Sequence, residues 1–222
     1  MHVLYLHGFA SSAASSKARF FADRLRALDV PVTIPDLNEP DFATLTTTRM
    51  IGQTLDAIAQ GPAGPIVLIG SSLGAFVAWH TAARLNAAPD PARPLTHLVL
   101  LAPALDFGTN RMGLAEAELR RWQQDGWREF FHYGYNEPRR VHYALSEDAR
   151  QYDSDAARVD TPTLVFQGTR DTLVDPAMVQ RFAERHPNVT LHLLDDDHQL
   201  LSSLETIWRE TAAFLGLDRE RP

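Results

Sequence analysis

The stretch from Gly61 to Pro94 most constrains how this chain can fold. A break, Gly61-Pro62-Ala63-Gly64-Pro65, is followed by four apolar residues, Ile66 to Ile69. Then comes Gly70-Ser71-Ser72-Leu73-Gly74, and then a helix-period segment over 73–85 that ends in a proline-rich loop at 86–94. An unbroken apolar run this short reads as a strand covered on both faces, which is the signature of a parallel sheet. The same rhythm recurs. Strands are expected at 3–6, 31–34, 66–69, 97–101, 162–166 and 189–194, and helices at 16–28, 44–59, 73–85, 176–185 and 203–215. Alternating strands and helices imply βαβ units with right-handed crossovers and helices on both faces. One stretch breaks the pattern. Residues 103–161 show no good strand but carry Trp122, Trp127, Phe130, Phe131, Tyr133, Tyr135 and Tyr143. They read as a small helical cap, about 105–158, inserted over the sheet's C-terminal edge of a single domain, 1–222.

Composition excludes several classes. The chain has 222 residues and no cysteine, so disulfide scaffolds and thiolate metal sites are out. No apolar run approaches the roughly 20 residues of a membrane span. A net charge of −7 argues against nucleic acid as a partner, and the cap aromatics lack the basic background that a base-stacking surface needs. No secretory signal is visible, so the cytoplasm is the default expectation. Lys17 is the only lysine, which reads as genome bias.

Gly70-Ser71-Ser72-Leu73-Gly74 fits G-x-S-x-G around Ser72 but not around Ser71, whose glycine positions hold Ile69 and Leu73. The pattern alone arises by chance in roughly one chain in fifteen of this length. Its place between a strand and a helix is what that motif requires for an exposed nucleophile on a sharp turn. The competing reading is a tight turn with a buried or capping serine. His7-Gly8-Phe9 directly follows the first strand. Backbone N–H groups of Phe9 and Leu73 are placed to form an oxyanion hole, though the loop also reads as an ordinary glycine turn. A serine needs a base. Of nine histidines, His198 follows the last strand, on the same sheet edge as Ser72; His7 is its weaker rival. The acid that orients the base is expected at Asp171, in the loop after the fifth strand. Asp175 is second choice, and Asp195–Asp197 read as a solvated run. Trp122, Trp127 and Phe131 are candidates for walling an apolar substrate pocket. No metal-ligand spacing or phosphate loop appears, so no cofactor is expected.

Together these motifs resemble the α/β-hydrolases over nearly the whole chain. Leu4-Tyr5-Leu6-His7-Gly8-Phe9-Ala10-Ser11-Ser12, followed by Ser16-Lys17, resembles small YqiA-type bacterial esterases. The short chain and the cap resemble the branch of α/β-hydrolase domain protein 10. The resemblance implies six parallel strands in spatial order 2-1-3-4-5-6. It also implies a serine esterase acting on a small-molecule ester through Ser72, His198 and Asp171, as a monomer or dimer. A thioesterase on acyl-CoA or S-acyl protein would keep the same groups. A non-catalytic module binding a small ligand is the alternative from another class.

Overall fold

A computed structural model describes residues 1–109 and 112–218. The expected domain and cap bounds therefore reach residues 110–111 and 219–222, which lie outside the described ones. In chain order the strands are β1 (His2–Leu6), β2 (Val32–Thr33), β3 (Ile66–Ser71), β4 (Leu95–Leu101), β5 (Trp127–His132), β6 (Glu137–His142), β7 (Thr163–Gly168) and β8 (Val189–Leu194). The α-helices are α1 (Ser16–Ala27), α2 (Thr47–Gln60), α3 (Leu73–Ala87), α4 (Glu116–Asp125), α5 (Ala144–Ala149), α6 (Pro176–Arg185) and α7 (Leu204–Phe214). Six strands form one parallel sheet in the order β2-β1-β3-β4-β7-β8. The first and third strands in the chain thus flank each other, and the sheet builds outward from β1 and β3, whose C-terminal ends carry the Gly8 and Ser72 turns.

Strand parity sorts the core into two layers, because successive side chains point to opposite faces. Leu4, Leu6, Ile66, Leu68, Leu98 and Leu100 meet Met50, Ile51 and Ile58 of α2, Phe76 and Trp79 of α3, and Val179 and Phe182 of α6. Val3, Tyr5, Val67, Ile69, Val99 and Leu101 meet Ala18, Phe21 and Leu25 of α1 and Ile207 of α7. A strand buried on both faces has no polar alternation to show, which is why these strands read as continuous apolar runs. No described helix is long and apolar enough to cross a membrane.

The insertion is not the purely helical cap that the sequence suggests. Between α4 and α5 it holds an antiparallel hairpin, β5 and β6, with Trp127 opposite His142 and His132 opposite Glu137. The turn is Tyr133-Gly134-Tyr135-Asn136, with Asn136 in the left-handed region at φ 56°. Burial alternates along β5: Trp127, Glu129 and Phe131 face out while Arg128, Phe130 and His132 turn inward. Large aromatics stand on both faces, so the period of two is hidden in the apolar pattern. The turn docks on the loop after β1, where the Tyr133 N–H donates to the Ala10 carbonyl at 2.8 Å.

Candidate active site

The β3–α3 turn is built by three close backbone approaches. A Cβ on Gly70 would stand 2.5 Å from the Ala75 Cα, and one on Gly74 2.2 Å from the Leu6 carbonyl oxygen. A Cβ on Gly8, in the loop after β1, would stand 3.3 Å from the Ser72 Cβ. At Gly70 and Gly74 only glycine lets the segments meet, and at Gly8 a side chain would be a tight fit. Between them Ser72 takes φ 55° and ψ −117°, a strained conformation for a residue with a side chain. Its N–H donates to the Leu101 carbonyl at 2.9 Å, and its own carbonyl accepts from Ala75 and Ala104. The backbone is thus held on both sides and the hydroxyl is left to point away from the helix, with no capping bond. Gly74→Ala is expected to cost about 3 kcal/mol in urea unfolding, since the obstacle is β1 backbone. Gly52→Ala, mid-α2 with open space around it, is expected to gain about 1 kcal/mol. Equal effects of the two would mean that the turn tolerates a side chain at Gly74.

His198 reaches Ser72 from the loop after β8. Its Nε2 lies 3.1 Å from the Ser72 Oγ, and its Nδ1 lies 2.8 Å from Asp171 Oδ2. A carboxylate only accepts, so Nδ1 carries the proton and Nε2 accepts from the serine hydroxyl. Asp171 sits after β7 with its side chain fully buried. It also accepts from Gln167 Nε2 at 2.9 Å and from the N–H groups of Leu173 and Val174 at 2.8 and 2.9 Å. Burial alone would push this carboxyl up. The His198 bond, the Val174 N–H, the charge on His198 and the Gln167 amide outweigh it and hold the carboxyl below the usual carboxylate range. The β7 end and the histidine loop touch at Gly168, where a Cβ would meet the Asp196 carbonyl oxygen at 2.5 Å.

The other candidates sort by geometry. Asp175 caps α6, accepting from the Ala177 N–H at 2.9 Å. His7 is buried: Nδ1 donates to the Gly8 carbonyl at 3.0 Å and Nε2 accepts from the Leu37 N–H at 3.0 Å. It pins the loop that carries Phe9 rather than facing Ser72. The N–H groups of Phe9 and Leu73 have no acceptor among the described residues. The Phe9 ring packs edge-on against Phe130, centroids 5.1 Å apart.

A cavity of about 860 Å³ opens over Ser72 and His198. Its apolar lining includes Phe9, Phe107, Phe130, Phe131, Leu173 and Val174. Of the three aromatics expected there, only Phe131 lines it. Trp122 is buried inside the cap, donating to the Val141 carbonyl at 3.0 Å and packing on Phe130 and Tyr143. Trp127 lies on the outer face beneath the Arg140 guanidinium and against His142. Aromatic content marks the cap but not the direction of each ring. The cavity's polar lining includes Ser11, Ser12, Ser15, Ser16 and Lys17, the lone lysine that the sequence reads as genome bias. Its Nζ donates to the Gln199 carbonyl at 2.9 Å, next to His198, across 182 positions of chain. Burial lowers its pKa to about 8, while Asp171, Asp197 and Asp196 pull toward the ammonium form. Among the described residues no three His, Asp or Glu gather as a metal site.

A family model described as an uncharacterised protein family, UPF0227, matches residues 2–215. No curated protein matches. Many solved structures do. A provisionally named hydrolase from Agrobacterium vitis S4 is 25% identical with a TM-score of 0.85, over 96% of this chain and 87% of that one. The α/β hydrolase domain-containing protein 10 from mouse is 19% identical, TM-score 0.78, over 98% and 90%. Est1E from Butyrivibrio proteoclasticus, with ferulic acid bound, is 17% identical, TM-score 0.79, over 96% and 87%. The fold is that of the α/β hydrolases.

Proposed function

The chain belongs to the UPF0227 family, and we propose that it is a serine hydrolase cleaving carboxylic esters of apolar acyl or aryl acids. The observation that carries this reading is the continuous hydrogen-bonded line Ser72–His198–Asp171, on a strained turn that lines a largely apolar cavity. A structural serine on such a turn would need neither the strain nor the histidine.

The Ser72 Oγ attacks the substrate carbonyl carbon as its proton passes to His198 Nε2. Asp171 fixes the ring orientation and stabilises the imidazolium that results. The carbonyl oxygen, now an oxyanion, is met by the Phe9 and Leu73 N–H groups, preorganised by the Gly8 and Gly74 close approaches. Collapse breaks the carbon–oxygen bond to the alcohol, which takes the proton from His198 and leaves. Water then gives a proton to His198, attacks the acyl-enzyme and releases the acid, restoring the Ser72 hydroxyl. The Phe9, Phe107, Phe130 and Phe131 lining suits an apolar acyl group. Est1E, of the same fold, holds an aromatic acid.

The test is a 4-nitrophenyl ester series from acetate to palmitate, run beside fluorophosphonate labelling of Ser72. Hydrolysis with an optimum at one chain length and a label on Ser72 are the expected results. Labelling without ester hydrolysis would move the reading to thioesters. Neither would leave a ligand-binding module.

A further inference from the structure

Resting on the hydrolase reading, we propose that the turn of the β5–β6 hairpin is a positioning element of the oxyanion hole. By docking on the loop after β1 it holds the Phe9 N–H where the developing oxyanion forms, and Gly134 is the residue that permits the docking. The direction of the Phe9 N–H is set by the peptide groups around it. The Gly8 carbonyl shares its peptide plane and accepts from His7 Nδ1 at 3.0 Å. On the other side, the Ala10 carbonyl accepts from the Tyr133 N–H at 2.8 Å and the Gly134 N–H at 3.4 Å, and the Ser11 carbonyl accepts from Asn38 Nδ2 at 2.9 Å. The Ala10 contacts come from the cap. Ala10 takes φ 53°, a left-handed conformation that a residue with a side chain keeps only where its surroundings hold it. The cap also grips Phe9 itself: its ring packs edge-on against Phe130 of β5 at 5.1 Å between centroids, and tilted against Phe42 at 5.5 Å.

The turn is braced for this task. The His132 carbonyl accepts from the Tyr135 and Asn136 N–H groups at 3.1 and 2.7 Å. The buried His132 ring stacks on Tyr135 at 3.8 Å and meets Phe42 edge-on at 4.5 Å, so Phe42 touches both the turn and Phe9. At Gly134 a Cβ would stand 2.9 Å from the Ser12 Cβ and 3.0 Å from the Ser12 Oγ. The left-handed glycines among the described residues are Gly64, Gly113, Gly126 and Gly216. The approach to Ser12, not backbone conformation, is therefore what calls for glycine at 134. Phe130, Phe131, Tyr133 and Gly134 also line the cavity. A hairpin that only covered the substrate would act on KM. One that sets the oxyanion hole acts on kcat, because those hydrogen bonds strengthen in the transition state.

The test is Gly134→Ala, read on 4-nitrophenyl butyrate and on the thiono ester in which sulfur replaces its carbonyl oxygen. Sulfur is a weak acceptor, so the ratio of the two kcat/KM values, each divided by the ester's own rate of alkaline hydrolysis, reports the hole. The wild type is expected to prefer the oxygen ester about 100-fold or more. Gly134→Ala is expected to lower kcat about 10- to 100-fold with KM little changed, and to lower the ratio by a similar factor. Ser12→Gly removes both atoms that the new Cβ would meet, and adding it to Gly134→Ala is expected to restore the ratio, which a misfolded turn would not allow. A loss confined to KM, a ratio unchanged in Gly134→Ala, or a ratio still low in the double variant overturns the positioning role and leaves the hydrolase standing. Equal use of both esters by the wild type overturns the oxyanion hole and this role with it. No turnover of the oxygen ester, with no fluorophosphonate label on Ser72, overturns the hydrolase reading as well.

Discussion

Ser72→Ala is expected to lower kcat/KM on the best 4-nitrophenyl ester by about 100,000-fold, leaving only the residual rate that an oxyanion hole and binding supply. The substitution removes one oxygen and nothing that holds the turn. The Ser72 N–H still reaches Leu101, and Gly8, Gly70 and Gly74 still make their close approaches. Stability in urea should therefore stay within about 0.5 kcal/mol of wild type. Ser72→Gly should lose activity equally but gain about 1 kcal/mol, because glycine adopts φ 55° without the strain that any Cβ brings. This pairing separates chemistry from architecture. Retention of more than a hundredth of the activity in Ser72→Ala would remove the nucleophile from Ser72. A glycine variant no more stable than the alanine one would show that the turn stores no strain at that position.

The parallel sheet and the loops that bring Ser72, Asp171 and His198 to one edge are legible because they follow from strand and helix alternation, whereas the strand order comes only from the resemblance to the α/β-hydrolases. Apolar runs such as Ile66–Ile69 declare buried parallel strands, and handedness then sets the sense of the crossovers. The glycine spacing around Ser72 is legible for the same kind of reason: it reports a backbone constraint, and such constraints are local. What is not legible depends on direction or on long-range packing. The β5–β6 hairpin is hidden because Phe130 and Phe131, adjacent in sequence, occupy opposite faces, so no apolar-polar alternation shows. Trp122 and Trp127 look alike in the sequence, yet one is the cap's own core and the other lies on its outer face. The place of Lys17 depends on Gln199, on the far side of the sheet's construction in sequence terms. Its being the chain's only lysine is a compositional fact that burial turns into a structural one.

Asp171→Asn is expected to cut kcat about 10,000-fold while leaving the Ser72 hydroxyl in place. The carboxylate accepts from four donors: His198 Nδ1, Gln167 Nε2, and the N–H groups of Leu173 and Val174. An amide offers one oxygen and two N–H donors. With the oxygen kept on the Leu173 and Val174 N–H groups, its nitrogen faces His198 and Gln167. His198 Nδ1 must then accept, the ring proton moves to Nε2, and the base can no longer take a proton from Ser72. Gln167 is left donor to donor, which should cost about 1–3 kcal/mol of stability. The pH dependence has a definite sign. Folding holds the Asp171 carboxyl below its unfolded value of about 3.9, so its contribution is fully present above that value and is lost as pH falls through the folded one. The stability gap between wild type and Asp171→Asn should therefore be full at pH 7 and narrow below about pH 4. Asp175→Asn provides the contrast in the same loop. It keeps a good cap on α6 and touches neither His198 nor Ser72, so its kcat should match wild type. If instead Asp175→Asn abolishes turnover while Asp171→Asn keeps kcat within tenfold, the orienting acid is Asp175 and the hydrogen bond from His198 to Asp171 is structural.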